Sequence, residues 1–352
     1  MRILLVRLGA LGDVVHAIPV AAALRRAFPD ARIDWLVGAA HGRLLDLVPV
    51  IDRVIAVRDR SSSSGGLSLV GAVRELRSAR YDVAFDLQGL IKSALLARGS
   101  GAGRVIGFVA PHLREPLARF AYTETHDPGG GGLFDRHDGR HVVRINLSLL
   151  QRLGVESAAV EFPIERVASS VADAVRARAG GRYALLNPGA AWPNKRWPPE
   201  RLGSLAARLS ERRGLRSVVV WGPGERTLAE TVVARSNGAA TLSPETSMRD
   251  LVALAAHAAV MVSGDTGPIH VAAAVGTPVV GIYGPTRPER NGPWRSEDAV
   301  VSRSSVCECH HLRRCQRETM CVADIGVDEV LSAVETRLDA VGAPVMRGHS
   351  GA

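Results

Sequence analysis

The chain predicts an α/β protein built as two parallel-sheet domains in series. Short apolar runs alternate with longer stretches of helical period along its whole length. The alternation falls into two series, separated by an extended stretch at residues 161–167. At 352 residues the chain is long enough to bury two cores.

The first series opens with a strand at 3–6 and a helix at 14–28. Strands follow at 33–37 and 54–57, then a helix at 71–79, a strand at 83–87, a helix at 91–97 and a short strand at 105–107. Residues 60–68, with serines at 61–64, form an expected flexible loop. Residues 127–139, with four consecutive glycines, form an expected mobile one. A helix over 142–153 leads into the linker. The second series has a strand at 183–186, a loop at 187–199, a helix at 200–213, a strand at 217–221 and helices at 226–236 and 248–257. A strand at 260–262, a helix at 269–275 and a strand at 277–283 complete it, and an amphipathic helix occupies 327–341. The expected domains are therefore 1–165 and 166–326, then the helix 327–341 and a disordered tail at 342–352.

Composition narrows the function. A hydrophobic content of 46% is ordinary for a globular protein. Aromatic residues make up only 4%, which argues against a base-stacking surface for nucleic acid. No apolar run reaches the ~18 residues of a membrane span. The first strand begins with no charged leader or cleavage site, so the expected location is cytoplasmic. The net charge of +9 points to an anionic partner, with a basic nucleic-acid-binding protein as the remote alternative. Only Lys92 and Lys195 are lysines, leaving 44 − 2 = 42 arginines. Such a bias fits a GC-rich genome, and it makes two lysines that fall inside motifs stand out.

The most informative stretch is residues 260–285, VMVSGDTGPIHVAAAVGTPVVGIYGP. A buried strand ends in Ser263-Gly264-Asp265-Thr266-Gly267-Pro268 and a small-residue helix follows. Gly264 and Gly267 suit a tight turn, and Pro268 suits the first helical position. A helix N-terminus there attracts a phosphate, while Asp265 suits a hydroxyl or amine. That combination fits a nucleotide sugar. The alternative is an ordinary strand–turn–helix capped by Asp265 and Thr266.

Several segments in order carry a family resemblance. Residues 5–19, LVRLGALGDVVHAIP, and 86–94, DLQGLIKSA, are similar to those of the ADP-heptose:lipopolysaccharide heptosyltransferases. So are Arg114-Glu115-Pro116-Leu117-Ala118, the loop 192–198, and 263–270 with Tyr283-Gly284-Pro285-Thr286. The chain resembles this family over roughly residues 1 to 340, most closely the first enzyme of the inner core. The resemblance implies a GT-B fold of two Rossmann-like domains facing an interdomain cleft. It implies an inverting transfer of heptose from ADP-heptose to the Kdo/heptose inner core of lipopolysaccharide, with no metal needed for the chemistry. It also implies a membrane-peripheral enzyme whose acceptor is an anionic lipopolysaccharide precursor at the inner membrane surface. A relative with another acceptor, a protein or a different glycan, is the near alternative.

The resemblance also implies roles. Asp13 matches the general base, although a carboxylate there also reads as a helix cap. His16, one turn on, reads as a helix residue. Lys195 matches the group that binds the diphosphate and steadies the leaving group. The hydroxyl residues often found just upstream are Ala190 and Ala191 here. Glu225 matches an adenosine contact, Met248 an adenine-pocket residue, and Asp265, Thr266, Gly267 and His270 complete the donor site. Lys92, Arg114 and Arg144 match basic acceptor-side positions. Arg58-Asp59-Arg60 and the following serines replace a very basic segment of the inner-core enzyme. Cys307, Cys309, Cys315 and Cys321, with His310 and His311 among them, form a candidate structural zinc or iron site. Their spacing is not a standard zinc pattern, and free thiols in a loop are the alternative.

Overall fold

A computed structural model of the chain describes residues 1–58, 65–156, 159–307, 309, 312–315 and 317–342. The serines at 61–64, His310, His311 and the tail beyond Gly342 lie outside the described residues. The chain divides into two compact units, Met1–Val167 with Glu289–Asn291, and Ala168–Pro288 with Gly292–Ala352.

The first unit holds the strands β1 (Arg2–Val6), β2 (Arg32–Gly38), β3 (Arg53–Val57), β4 (Val83–Asp86), β5 (Arg104–Phe108) and β6 (Glu124–His126). They form one parallel sheet in the order β3-β2-β1-β4-β5-β6. Its helices are α1 (Leu11–Ala27), α2 (Gly42–Leu45), α3 (Leu69–Ala79), α4 (Ile91–Gly99) and α5 (Val142–Ser148). The inner strands β1 and β4 read as unbroken apolar runs because helices cover both faces of a parallel sheet.

The second unit repeats the plan with β7 (Tyr183–Asn187), β8 (Arg216–Val219), β9 (Ala240–Leu242), β10 (Val260–Gly264), β11 (Val279–Tyr283) and β12 (Ala299–Ser302). The order is β12-β11-β10-β7-β8-β9, again all parallel. The helices are α6 (Ser170–Ala179), α7 (Pro199–Arg213), α8 (Arg226–Ala234), α9 (Met248–His257), α10 (Gly267–Ala274) and α12 (Val327–Gly342), while the short α11 (Pro288–Asn291) has Glu289–Asn291 in the first unit. Strand alternation splits the core in two. Ala184 and Leu186 pack on one face with Trp197, Leu205 and Val330, and Tyr183 and Leu185 on the other with Leu254 and Ile269.

Several expectations need correction. Helix α1 starts at Leu11, so Asp13 lies within its first turn rather than ahead of it. Helix α10 starts at Gly267, which puts Pro268 at its second position. The helix expected over 142–153 becomes a 3-10 helix from Leu149. The short edge strands β6, β9 and β12 and the helix α6 were not anticipated. The glycine run at 129–132 is not loose. Arg140 donates to the carbonyls of Pro128 and Gly129 and pairs with the buried Asp138 at 2.5 Å, which fastens the loop. Gly129, Gly130 and Gly132 adopt positive φ there, which explains the glycines.

The last helix is tied back into the sheet through one buried charge. Asp298 Oδ1 accepts from Arg337 Nε at 3.0 Å and from the Val279 amide at 3.1 Å, and its side chain is 0% exposed. Removing one partner of such a pair strands the other in a dry site. Asp298→Ala should cost about 3–5 kcal/mol. Urea unfolding checks this, and a midpoint equal to wild type would remove the pair from the stability of this unit.

Candidate active site

Both sheets reverse strand order once, between β1 and β4 and between β10 and β7. Parallel strands leave a crevice at such a switch point, at their carboxyl ends, and ligands bind there. The motifs singled out from the sequence flank these two crevices.

In the first unit Asp13 follows β1. Its carboxylate accepts the Ala10 amide at 3.2 Å, so part of its capping character is real. It also pairs with Arg7 at 2.8 Å, with 42% of its side chain exposed against 11% for Arg7. Arg7 was not singled out from the sequence. Its Nη1 donates to the Leu87 carbonyl, and its Nε is buried without a partner among the described residues. The turn before Asp13 is held from β4: Gln88 Oε1 accepts from the amides of Leu8 and Gly9, at 2.8 and 3.3 Å.

Gln88 is itself set by Asp86, the last residue of β4. Asp86 Oδ1 accepts the Gln88 and Gly89 amides, and Oδ2 accepts from Ser93 at 2.9 Å and from the Tyr122 hydroxyl at 2.8 Å. Burial raises the Asp86 pKa, opposed by these hydrogen bonds, the Gln88 amide foremost. Gly89, at φ +72°, has its carbonyl bonded to the Glu115 amide, and the Glu115 carboxylate accepts the Ile91 amide at 2.6 Å. Arg114 and Lys92 therefore sit on segments tied side by side. Arg144 lies on the exposed side of α5. His16 is buried in α1 with its ring edge-on to His141, as a packed helix residue would be.

In the second unit the loop after β7 and the turn after β10 close on each other. Lys195 Nζ pairs with Asp265 Oδ2 at 2.6 Å, and His270 Nε2 bonds Asp265 Oδ1 at 3.0 Å. Gly264 is what permits this approach, since a Cβ there would strike the Lys195 carbonyl. Its use is close packing rather than an unusual turn angle. Burial alone would raise the Asp265 pKa. The Lys195 ammonium and His270 more than reverse that and hold it well below the usual carboxylate range. Lys195 Nζ also lies 4.7 Å from the centre of the Trp192 ring.

Asn187 ends β7 and was missed from the sequence. Its Nδ2 lies within hydrogen-bond range of the Gly189 carbonyl, Ser263 Oγ and Thr266 Oγ1, at 3.1, 3.0 and 3.1 Å. A buried amide at the end of an apolar strand was the available signal. Thr266 is the N-cap residue of α10 and Gly267 its first residue. Glu225 is the N-cap residue of α8, accepts the Gly222 amide at 3.1 Å, and lies so close to Gly189 that a Cβ there would collide with its carboxylate. Met248, half-buried, opens α9 after β9. All these residues follow the carboxyl ends of β7, β8, β9 and β10.

The four cysteines are free, and their thiols form two pairs. Cys309 and Cys315 are 3.1 Å apart, and Cys307 and Cys321 are 3.0 Å apart. Thiolates around a tetrahedral zinc stand about 3.8 Å apart, from a Zn–S bond of ~2.3 Å. Among the described residues no group of three or more His, Cys, Asp and Glu side chains could hold a metal ion. Cys307, Cys309 and Cys321 are buried as one cluster with Cys315 packed against it. Burial and the Cys307 thiol push Cys321 up to about 12.

Two switch-point sheets, one with an exposed carboxylate and one with a lysine–aspartate–histidine cluster at a helix N-terminus, give the GT-B arrangement of a glycosyltransferase. Residues 70–320 match glycosyltransferase family 9 (heptosyltransferase). Lipopolysaccharide heptosyltransferase 1 of Pseudomonas aeruginosa is 32% identical over 318 residues, 87% of this chain and 85% of that one. The E. coli heptosyltransferase WaaC, solved with ADP, matches at a TM-score of 0.73 and 24% identity, over 96% of this chain and 98% of that one. A glycosyltransferase of family 9 from Veillonella parvula matches at a TM-score of 0.77 and 24% identity, over 96% and 97%. The chain belongs to glycosyltransferase family 9, the heptosyltransferases.

The buried Asp265 has a consequence for acid stability. A carboxyl held below its unfolded value adds stability above the ordinary carboxylate pKa, and this is lost as pH falls through the depressed value. Replacing Lys195 by methionine removes the largest lowering influence. The Lys195→Met protein should therefore begin to lose stability at a higher pH than wild type during acid titration. Thermal melts across the acid range check this, and superimposable pH profiles would contradict it.

Proposed function

We propose that this protein transfers a heptose from ADP-heptose to the Kdo/heptose inner core of lipopolysaccharide, with inversion at the anomeric carbon. Relatives named as lipopolysaccharide heptosyltransferases support the donor and acceptor. The observation that carries the reading is the Lys195–Asp265–His270 cluster at the second switch point. An ammonium beside a helix N-terminus suits a diphosphate, and an ionised carboxylate next to it suits sugar hydroxyls.

In this reading the first unit, residues 1–165 with the linker, binds the acceptor through Lys92, Arg114 and Arg144, whose charges answer its phosphates and carboxylates. Asp13 takes the proton from the acceptor hydroxyl as that oxygen bonds to the anomeric carbon. The bond from that carbon to the diphosphate breaks, and ADP leaves with its charge met by Lys195. In the second unit Glu225 holds the ribose or base, Met248 the adenine, and Asp265, Thr266, Gly267 and His270 the diphosphate and sugar. The chemistry uses no cofactor, and the cysteine cluster is structural. Among the described residues no helix is long and apolar enough to cross a membrane. We place the enzyme in the cytoplasm, peripheral to the inner membrane.

The direct test is transfer from ADP-heptose to a Kdo-bearing lipid A acceptor, read by mass spectrometry. A single added heptose supports the reading; turnover only on a protein or an unrelated glycan replaces the acceptor. Asp13→Ala should lower kcat by at least ~10²-fold with little change in ADP binding, the usual scale for a general base. Turnover within a few-fold of wild type would remove Asp13 from the mechanism. Lys195→Ala should weaken ADP binding by ~1.5–3 kcal/mol, as for a charged hydrogen bond, with Lys195→Arg recovering only part. Calorimetry with unchanged affinity in the alanine variant would sink that assignment.

A further inference from the structure

Large apolar side chains are exposed singly on most proteins, and only a cluster carries meaning. Among the described residues twelve are exposed, and six of them fall within one stretch of the first unit: Leu69, Val70, Ile91, Leu95, Leu117 and Phe120. The elements that carry them are neighbours. Helices α3 and α4 lie side by side, with Arg77 Nε donating to the Gly99 carbonyl at 3.1 Å. The 3-10 helix Pro116–Ala121 packs on α4, fixed by the bond from the Ile91 amide to Glu115. On α4 the exposed residues Ile91, Leu95 and Arg98 follow helical spacing along one outer stripe, while Ala94, Leu96 and Ala97 face the core. Beside it, Leu69, Val70, Val73, Arg74 and Arg77 line a shallow recess of about 460 Å³.

The charge on this face is mainly positive. Arg74, Arg98 and Arg119 are exposed and make no ion pair among the described residues. The Arg119 guanidinium lies 4.3 Å from the centre of the exposed Phe120 ring. The acids on the same elements are engaged: Glu75 pairs with Arg53, and Glu115 accepts the Ile91 amide. Apolar side chains interleaved with unpaired cations match the boundary between the acyl chains and headgroups of an anionic bilayer. A second copy of the chain docking through the same face would set arginine against arginine. Nucleic acid would answer the cations but leave Leu95, Leu117 and Phe120 uncovered.

We propose that the outer face of α3, α4 and the 3-10 helix Pro116–Ala121 docks on an anionic lipid bilayer. Ile91 and Leu117 place Lys92 and Arg114 at the rim of the docked face, beside the headgroups. The proposal deepens the functional reading and rests on it for the lipid-borne acceptor. Vesicle binding is measured without donor or acceptor, so failure of either claim is distinguishable from failure of the other.

The test is co-sedimentation of the full chain with vesicles of phosphatidylethanolamine and phosphatidylglycerol, against vesicles of phosphatidylcholine alone. Wild type should bind the anionic vesicles, more weakly as salt rises, and bind the neutral ones much less. The double change Leu95→Glu with Phe120→Glu should reduce partitioning at least ~10-fold, and Arg74→Glu with Arg98→Glu should reduce it and flatten the salt dependence. Each side chain is exposed, so both variants should melt like wild type and bind ADP unchanged. Wild-type protein that stays in the supernatant, or variants that sediment like wild type, would overturn the proposal. So would a concentration-dependent dimer abolished by the Glu pair, or duplex DNA binding lost with the arginines.

Discussion

The structure depends on where each parallel sheet reverses its strand order. At that point two neighbouring strands send their connections to opposite sides, and their carboxyl ends stand over an open crevice. Here the crevices are not left to loop flexibility. In the first unit Gln88, from the turn after β4, hydrogen-bonds the backbone just after β1. In the second, Asn187 at the end of β7 reaches Ser263 and Thr266 after β10. In each case an amide side chain spans the switch point and fixes one turn against the other. An amide suits this, because it keeps the same donors and acceptors at any working pH.

The two crevices differ in how they treat charge. Asp13 is close to half exposed and needs only the neighbouring Arg7 and the Ala10 amide to orient it. Asp265 is buried, where an isolated carboxylate would be costly, so Lys195 and His270 must flank it. The difference suits the proposed roles. A base that takes a proton from an incoming hydroxyl has to be reachable. A group that stays ionised and holds hydroxyls gains strength from a dry setting. Asp86 shows a third use of a buried carboxylate: its four hydrogen bonds organise the turn that carries Gln88, and it faces no crevice itself.

The central strands and their following turns were legible because both faces of a parallel sheet are buried, and the apolar runs are unbroken. The edge strands β6, β9 and β12 are short and only partly buried, so they carry no such run. Single polar residues such as Asp13, Lys195 and Asp265 could be found because each stands at the end of an apolar run or beside a helix start. Arg7 and Asn187 also stand at the ends of apolar runs, but much of what gives them meaning, the Leu87 carbonyl for Arg7 and Ser263 and Thr266 for Asn187, lies about 80 residues away in the chain. The glycine run at 129–132 reads as mobile from its composition alone. Its stiffness comes from Arg140, which no local pattern announces.

The cysteine-rich segment bears on the site through packing. Asn194, the neighbour of Lys195, donates to the Leu312 carbonyl at 2.8 Å, and the Arg313 guanidinium lies 5.8 Å from the centre of the Trp192 ring. A Cβ on Gly284 would press on Val322 and Cys321, so that segment also lies tight against the loop after β11. That segment thus packs as a buttress behind the lysine loop. Lys195 is then aimed before any ligand arrives. Its ammonium has three donors, and Asp265 takes one of them. In the proposed role the other two serve phosphate oxygens, so ligand binding need not break the ion pair that holds the lysine in place. A free surface lysine would have to surrender its side-chain entropy on binding, about 2 kcal/mol; here that cost has already been met in folding.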